Sequence, residues 1–153
     1  MADRIEVGCA PAAIVGGLGI KHKYIIYTKD VGLPTEQKFI ARGGPGVITE
    51  PGTIITESGP YTRDSRDWDP ARAPTTDPTH DPNAVPHPRE TIIEGDDLSG
   101  DWQKIQDVMR DIDDRNIFYD PTDTNSNAAA DEALRRAGLP VPTKDGPLDN
   151  WAP

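Results

Sequence analysis

Residues Tyr119 to Leu139, which read YDPTDTNSNAAADEALRRAGL, predict a helix with a defined start and a defined end. Apolar residues recur at three- and four-residue spacing after the alanine run. They are Ala130, Ala133, Leu134 and Ala137. Gly138, with a proline two residues later, ends the helix. Asn125, Ser126 and Asn127 compete for the N-cap position, so the helix is predicted to begin among them.

The first turn of this helix is a favourable place for a nucleophile. Side chains there point towards unpaired backbone N–H groups and the positive end of the helix dipole. Both features stabilise an oxyanion that develops during attack. Serine and asparagine are also the preferred ordinary helix caps. The segment alone therefore leaves two interpretations of Ser126, a nucleophile and a simple cap.

Charge and composition limit the partners. The 153 residues carry a formal net charge of −10, which argues against a nucleic-acid partner and against anchoring on anionic lipid. No apolar run reaches transmembrane length, so we expect no membrane insertion. Hydrophobic residues make up 35% of the chain, which also has 16 prolines and 14 glycines. This composition predicts one domain over residues 1–153, with a modest core and much loop.

Cys9 is the only cysteine, which excludes an intramolecular disulfide and a cysteine-based zinc site. We interpret it as a small buried apolar residue, with a reactive thiol as the alternative. The N-terminal residues lack the basic start and compact apolar core of a secretory signal. We therefore expect a protein made in the cytoplasm, for which a role outside the cell would need a non-classical export route.

Segments rich in β-branched and aromatic residues predict an antiparallel sheet. The strongest is residues 21–28, KHKYIIYT, in which His22, Tyr24 and Ile26 share one face. A glycine-rich stretch is expected to end its partner strand, residues 37–42. Further strands are predicted at residues 5–7, at 47–58 with a hairpin around Pro51 and Gly52, and at 90–94.

A second helix is predicted from about residue 101 to residue 115, because apolar residues recur there at helical spacing. They are Trp102, Ile105, Val108, Met109 and Ile112. Strands in the first part of the chain and two helices in the last part predict an α+β fold. We expect both helices to pack on one small antiparallel sheet.

Residues 59–88 differ from the rest, with seven prolines, several aspartates and few apolar residues. We interpret them as a long surface excursion without regular structure. His80 and His87 lie in it at a spacing that matches no metal-ligand motif, so we expect solvated side chains and no metal or cofactor. Residues 139–153 are expected to form a proline-rich C-terminal tail.

Several standard catalytic signatures are missing, including a phosphate-binding glycine loop, HExxH and a GxSxG elbow. The remaining candidate for chemistry is a pair formed by a strand histidine, His22, and a helix-capping hydroxyl, Ser126. Such a pair can activate a serine, because the imidazole takes the proton of the attacking hydroxyl.

The order of these features resembles that of the circularly permuted papain-like hydrolases, the group that contains the PPPDE desumoylating isopeptidases and relatives of lecithin:retinol acyltransferase. Those proteins open with a strand that begins with the catalytic His, and a second strand ends in glycines; HKYIIYT followed by QKFIARGGPG is similar. They place the nucleophilic Cys in an Asn-Cys-Asn-like motif that begins a helix. YDPTDTNSNAAADEAL is similar, with Ser126 at the Cys position, and the resemblance covers about residues 20–46 and 101–138.

The resemblance implies a permuted papain-like hydrolase of amide, isopeptide or ester bonds, with Ser126 as nucleophile and His22 as general base. In papain-like enzymes a group on the strand after the histidine orients the imidazole. Gln37 is the candidate here, and Glu36 is the alternative.

Three further side chains are candidates for substrate binding or for shaping the site. Asn125 and Asn127 would hold the turn, and either could donate to an oxyanion. Arg42 would bind a substrate carboxylate, and the alternative is a solvated side chain at a strand end.

The serine departs from the family pattern, because serine is a poorer nucleophile than a thiolate. Three explanations stay open: a serine-using branch, a member that only binds, and an engineered Cys-to-Ser replacement. For an active enzyme we expect a bacterial effector or toxin domain that acts on peptidoglycan peptides or protein conjugates, with an immunity or delivery protein as partner. The alternative is an inactive binding or structural module of a phage or secretion apparatus.

Overall fold

The computed structural model describes residues 2–11, 21–45, 53–115, 117 and 126–142. They form an α+β fold, as predicted, with one five-stranded antiparallel sheet and two helices. The elements in chain order are β1 (Asp3–Pro11), β2 (Lys21–Lys29), β3 (Gln37–Pro45), β4 (Ile54–Pro60), β5 (Arg89–Gly95), α1 (Ser99–Asp114) and α2 (Ser126–Arg136). The strand order in the sheet is β4-β3-β2-β1-β5, so β2 lies at its centre.

Both helices pack on one face of the sheet, which we call the helix face. The predicted stripe of α1 is buried from Trp102 to Ile112, and the alanine stripe of α2 is buried beside it. The sheet contributes alternate residues, as strand geometry requires. They include Ile5, Val7, Cys9, Ile25, Tyr27 and Ala41. The prediction that Cys9 is a small buried residue is confirmed, since it is 1% exposed.

The opposite face of the sheet, which we call the loop face, is also buried. A second cluster there consists of Ala10, Tyr24, Ile26 and Ile40. Tyr61 packs against this cluster, and residues 61–88 supply the polar side chains that bind to it. The described chain therefore has three layers. They are the two helices, the sheet, and residues 61–88, which we call the proline-rich segment.

The end of α2 matches its sequence signals. Gly138 has a φ of +77°, the left-handed conformation that glycine adopts most readily. The Leu139 N–H donates to the Leu134 carbonyl at 2.9 Å, and the Gly138 N–H donates to the Arg135 carbonyl at 3.1 Å. These two bonds define a Schellman motif, which satisfies carbonyls that the helix leaves unpaired. Within the described residues, neither helix is long and apolar enough to cross a membrane.

The prediction that the glycine-rich stretch ends the second strand is wrong. β3 continues through Gly43 and Gly44, because β4 pairs with this part of it; Gly43 lies opposite Thr56, and Gly44 lies opposite Ile55. Pairing with a neighbouring strand outweighs the weak strand preference of glycine. The hairpin predicted around Pro51 and Gly52 falls outside the described residues.

Gly8 permits the closest contact on the loop face. A Cβ atom at this position would lie 2.5 Å from Cζ of Tyr24 and 2.7 Å from its hydroxyl oxygen. Tyr24 is fully buried and its ring occupies the space above Gly8. A side chain at position 8 would therefore have to displace a buried aromatic ring.

We predict that Gly8→Ala lowers the free energy of unfolding by about 1–3 kcal/mol through overpacking. Chemical denaturation measures this change. Gly59→Ala is the matched control, because Gly59 also lies in a strand but has no atom within 4 Å of the added Cβ. Equal losses in the two variants would contradict the packing described for Tyr24.

Candidate functional site

One long-range hydrogen bond connects the start of α2 to the start of β2. The side-chain oxygen Oδ1 of Asn127 accepts the backbone N–H of Lys23 at 2.8 Å. The two residues are 104 positions apart in the chain. Asn127 is 7% exposed, so the bond is largely shielded from water.

The sheet leaves room for this bond. The β2–β3 ladder runs from Lys29 opposite Gln37 to Ile25 opposite Ala41. From Arg42 to Pro45, β3 continues as a partner of β4 without pairing with β2. The Lys23 N–H donates to the asparagine side chain instead. Asn127 therefore takes the role of a strand neighbour at the start of β2.

The Lys23 side chain binds the same helix. Its Nζ lies 3.1 Å from Oδ1 and 3.2 Å from Oδ2 of Asp131. Asn127 and Asp131 are four residues apart, so they lie on one side of α2. Burial raises the pKa of Asp131, and the Lys23 ammonium partly offsets this rise. We call these contacts of Lys23 with Asn127 and Asp131 the Lys23 junction.

The Lys23 junction brings together the backbones of the two predicted catalytic residues. His22 directly precedes Lys23, and Ser126 directly precedes Asn127. α2 begins at Ser126, one of the three residues among which the sequence predicts the start of the helix. The side chains of His22 and Ser126, and all of Asn125, lie outside the described part of the chain.

Strand alternation determines to which face of the sheet each residue of β2 belongs. Lys23 lies on the helix face, where its side chain binds α2. Position 22 has the parity of Tyr24 and Ile26, both of which lie in the loop-face cluster. By strand alternation, position 22 therefore belongs to the face of the sheet opposite α2.

The register separates Gln37 and Glu36 from His22, so their predicted role in orienting the histidine is corrected here. Gln37 pairs with Lys29, the last residue of β2. His22 lies seven residues earlier, about 23 Å away at the rise of a strand. Glu36 is at the same distant end, where its Oε2 accepts the Gly32 N–H at 2.7 Å.

Arg42 lies on β3 and is 5% exposed, so it is not the solvated strand-end residue of the alternative interpretation. Its Nε lies 2.7 Å from Oδ2 of Asp67, which belongs to the proline-rich segment. A carboxylate of this chain thus already binds the guanidinium. Substrate binding by Arg42 stays a prediction.

The loop face holds a polar cluster that the sequence did not predict. The Tyr24 hydroxyl lies 2.8 Å from Nδ1 of His87. The backbone N–H of His87 donates to Oδ2 of Asp69 at 2.9 Å, and Asp69 is fully buried. The expectation of a solvated His87 is therefore wrong, since the residue is 8% exposed.

Burial controls protonation in this cluster. It raises the pKa of the Tyr24 hydroxyl, which stays neutral and can donate to His87. It also lowers the pKa of His87; Asp69 and Asp67 oppose this shift, while Arg89 and Arg72 add to it. A neutral His87 accepts a hydrogen bond from the Tyr24 hydroxyl at Nδ1, so the proton of the imidazole is assigned to Nε2.

His80 is held by the segment itself, with Nδ1 3.0 Å from the Ala73 carbonyl oxygen. Among residues 2–11, 21–45, 53–115, 117 and 126–142, no group of three or more His, Cys, Asp or Glu side chains is arranged to hold a metal ion.

Comparison of the chain with models of known protein families, with curated proteins and with solved structures finds no match. Function must therefore be inferred from the chain's own residues, of which the Lys23 junction and the loop-face cluster are the two best-defined groups.

We predict that Asn127→Ala lowers the free energy of unfolding by about 1–3 kcal/mol, because the Lys23 N–H loses its acceptor in a buried place. Denaturation by urea measures the loss. Asn83→Ala, at an exposed position in the proline-rich segment, should change stability by no more than about 0.5 kcal/mol. An Asn127→Ala variant as stable as the wild type would contradict the junction.

Stability should also fall in acid because of His87. The unfolded histidine, with its ordinary pKa of 6.5, binds a proton more readily than the folded one, whose pKa is lowered. The free energy of unfolding is therefore unaffected by protonation of His87 above pH 6.5. It declines as the pH falls from 6.5 towards the lower pKa of the folded histidine. Unfolding measured between pH 7 and about pH 5 should show this loss.

The loss should shrink in His87→Asn, whose Oδ1 can replace Nδ1 as the acceptor for Tyr24. His80→Asn is the matched control and should keep the wild-type pH dependence. If the free energy of unfolding has the same slope against pH in the wild type and in His87→Asn, a group other than His87 titrates in this range.

Proposed function

We propose that the protein is a hydrolase that cleaves an amide, isopeptide or ester bond by nucleophilic attack of Ser126, with His22 as general base. The observation that carries the proposal is the 2.8 Å bond between Asn127 Oδ1 and the Lys23 N–H. It joins the residue after the proposed nucleophile to the residue after the proposed base. Two residues 104 positions apart in sequence thereby have neighbouring backbones.

The position of Ser126 supports its role as nucleophile. It is the first residue of α2, where backbone N–H groups have no partner within the helix. Those groups and the helix dipole would stabilise the oxyanion of a tetrahedral intermediate. The Lys23 junction holds this end of α2 against the sheet, which keeps the donors in place for the reaction.

The reaction has two steps. Oγ of Ser126 attacks the acyl carbon as the His22 imidazole takes its proton, and the imidazolium then returns the proton to the leaving amine or alcohol. Water, activated by the same imidazole, hydrolyses the acyl-serine ester and releases the acid. With Gln37 and Glu36 at the far end of β2, the mechanism uses the Ser126–His22 pair without an orienting residue from β3.

The substrate class follows from the resemblance to permuted papain-like hydrolases. It comprises peptidoglycan peptides and protein conjugates, and the biological setting is that of a bacterial effector or toxin domain with an immunity or delivery protein as partner. Export by a non-classical route belongs to the same proposal.

The parity of position 22 favours a second candidate, a binding or structural module that kept the fold without the chemistry. α2 packs on the helix face, whereas position 22 alternates onto the face of Tyr24 and Ile26. In this case Asn127 and Ser126 serve only to begin α2 and join it to β2.

A fluorophosphonate ester probe, which reacts with activated serines, separates the two functions. We predict covalent labelling of the wild type at Ser126, found by mass spectrometry of the intact protein and its peptides. Labelling should disappear in Ser126→Ala and become about 10²- to 10⁴-fold slower in His22→Ala, because the general base is lost.

Ser99→Ala is the matched control, since Ser99 is likewise the first residue of a helix. Its labelling should equal that of the wild type. A wild type that the probe does not label, or labelling that persists in Ser126→Ala, would contradict the hydrolase and leave the binding module.

A further inference from the structure

A pocket of about 380 Å³ opens on the loop face, between the sheet and the proline-rich segment. Its wall combines cationic and aromatic side chains with one buried carboxylate. They are Lys38, Arg72, Arg89, Tyr61, Trp68 and Asp69. The pocket lies on the face of the sheet opposite α2, and none of the described residues in its wall belongs to the Ser126–His22 pair or to the Lys23 junction, so the inference does not rest on the proposed reaction.

The acceptors of this pocket are already engaged. Asp69 accepts the backbone N–H groups of His87 at 2.9 Å and Ala71 at 3.1 Å, and its Oδ2 is 3.1 Å from Nε of Arg72. Glu36, at the rim, accepts the backbone N–H of Gly32. The pocket therefore has little capacity left for a cation or for a hydrogen-bond donor.

The donors, in contrast, are incompletely used. The Arg89 side chain is 8% exposed, and its buried Nε has no hydrogen-bond partner among the described residues. Its nearest carboxylate is that of Glu6, 3.9 Å from Nη1, which is beyond hydrogen-bond distance. Lys38 likewise lies 3.9 Å from Glu36. A buried guanidinium nitrogen without an acceptor is costly, and an oxyanion that accepts from it would relieve that cost.

One wall of the pocket consists of two aromatic rings, whose planes are inclined at 47° to each other. The rings of Tyr61 and Trp68 lie 5.0 Å apart between centroids. Hydrogen bonds fix both rings, because the Tyr61 hydroxyl donates to the Asp67 carbonyl at 3.0 Å and Trp68 Nε1 donates to Thr79 at 2.9 Å. The wall is thus preorganised to contact a planar apolar group.

We propose that this pocket is a binding site for a small organic oxyanion, a carboxylate or a phosphate carried on a flat apolar body. The guanidinium of Arg89 binds the oxyanion from within the pocket and Lys38 adds a second positive charge. Tyr61 and Trp68 contact the body of the ligand. Three cationic and two acidic side chains line the site, in a chain whose net charge is −10.

Isothermal titration calorimetry of the full chain with four probes tests the proposal. Phenyl phosphate and benzoate carry both an oxyanion and a ring, inorganic phosphate lacks the ring, and benzyl alcohol lacks the charge. We expect saturable binding of at least one ring-bearing anion, weaker binding of inorganic phosphate, and none of benzyl alcohol. Binding of phenyl phosphate alone, of benzoate alone, or of both identifies which oxyanion the site accepts.

Arg89→Gln should lower the affinity for the bound probe about 10- to 100-fold, because a charge-assisted hydrogen bond is lost. Arg63→Gln is the matched control. It makes the same charge change at an exposed position of the proline-rich segment, outside the wall of the pocket, and should bind like the wild type. Lys38→Gln removes a side chain that is 37% exposed, so it should fold normally and bind more weakly than the wild type.

Circular dichroism establishes whether Arg89→Gln is folded. If it is not, the affinity of Lys38→Gln for the bound probe tests the proposal. The proposal is overturned if neither phenyl phosphate nor benzoate binds the wild type. It is also overturned if the folded Arg89 and Lys38 variants bind as tightly as Arg63→Gln.

Discussion

The hydrogen bond from the Lys23 N–H to Asn127 is the constraint on which the proposed functional arrangement depends. The Lys23–Asp131 ion pair and the buried alanine stripe also attach α2 to the sheet. In the hydrogen bond, the second residue of α2 supplies the acceptor for a backbone N–H of the central strand. This bond places the first turn of α2 beside the first residues of β2, and the proposal of a Ser126–His22 pair depends on that proximity.

The second constraint is the burial of both faces of the sheet. α1 and α2 cover one face, and a segment without helices or strands covers the other. That segment is ordered by aspartates, which accept backbone N–H groups two residues later, as in Asp69–Ala71, Asp77–Thr79 and Asp81–Asn83. Buried pairs such as Arg42–Asp67 attach it to the sheet. The pocket on this face is thus a consequence of covering a sheet with polar chain.

The sequence predicted the elements whose signal is local. The helical spacing of α1, the glycine end of α2 and the β-branched run of β2 each depend on residues within one element. The errors concern relations between distant residues. The turn after β2 pairs Gln37 with Lys29, which separates it from His22, and no local pattern specifies that register. The burial of His87 was missed because its partners, Tyr24 and Asp69, come from other parts of the chain.

The proposed hydrolase requires above all that the His22 imidazole lies close to Ser126. Nuclear Overhauser spectroscopy of the isotopically labelled protein measures this proximity directly. We predict cross-peaks between the ring protons of His22 and the β protons of Ser126. Cross-peaks from the His22 ring to Ala10 and Tyr24 on the loop face, with none to Ser126, would contradict the claim and leave the Lys23 junction as a structural contact.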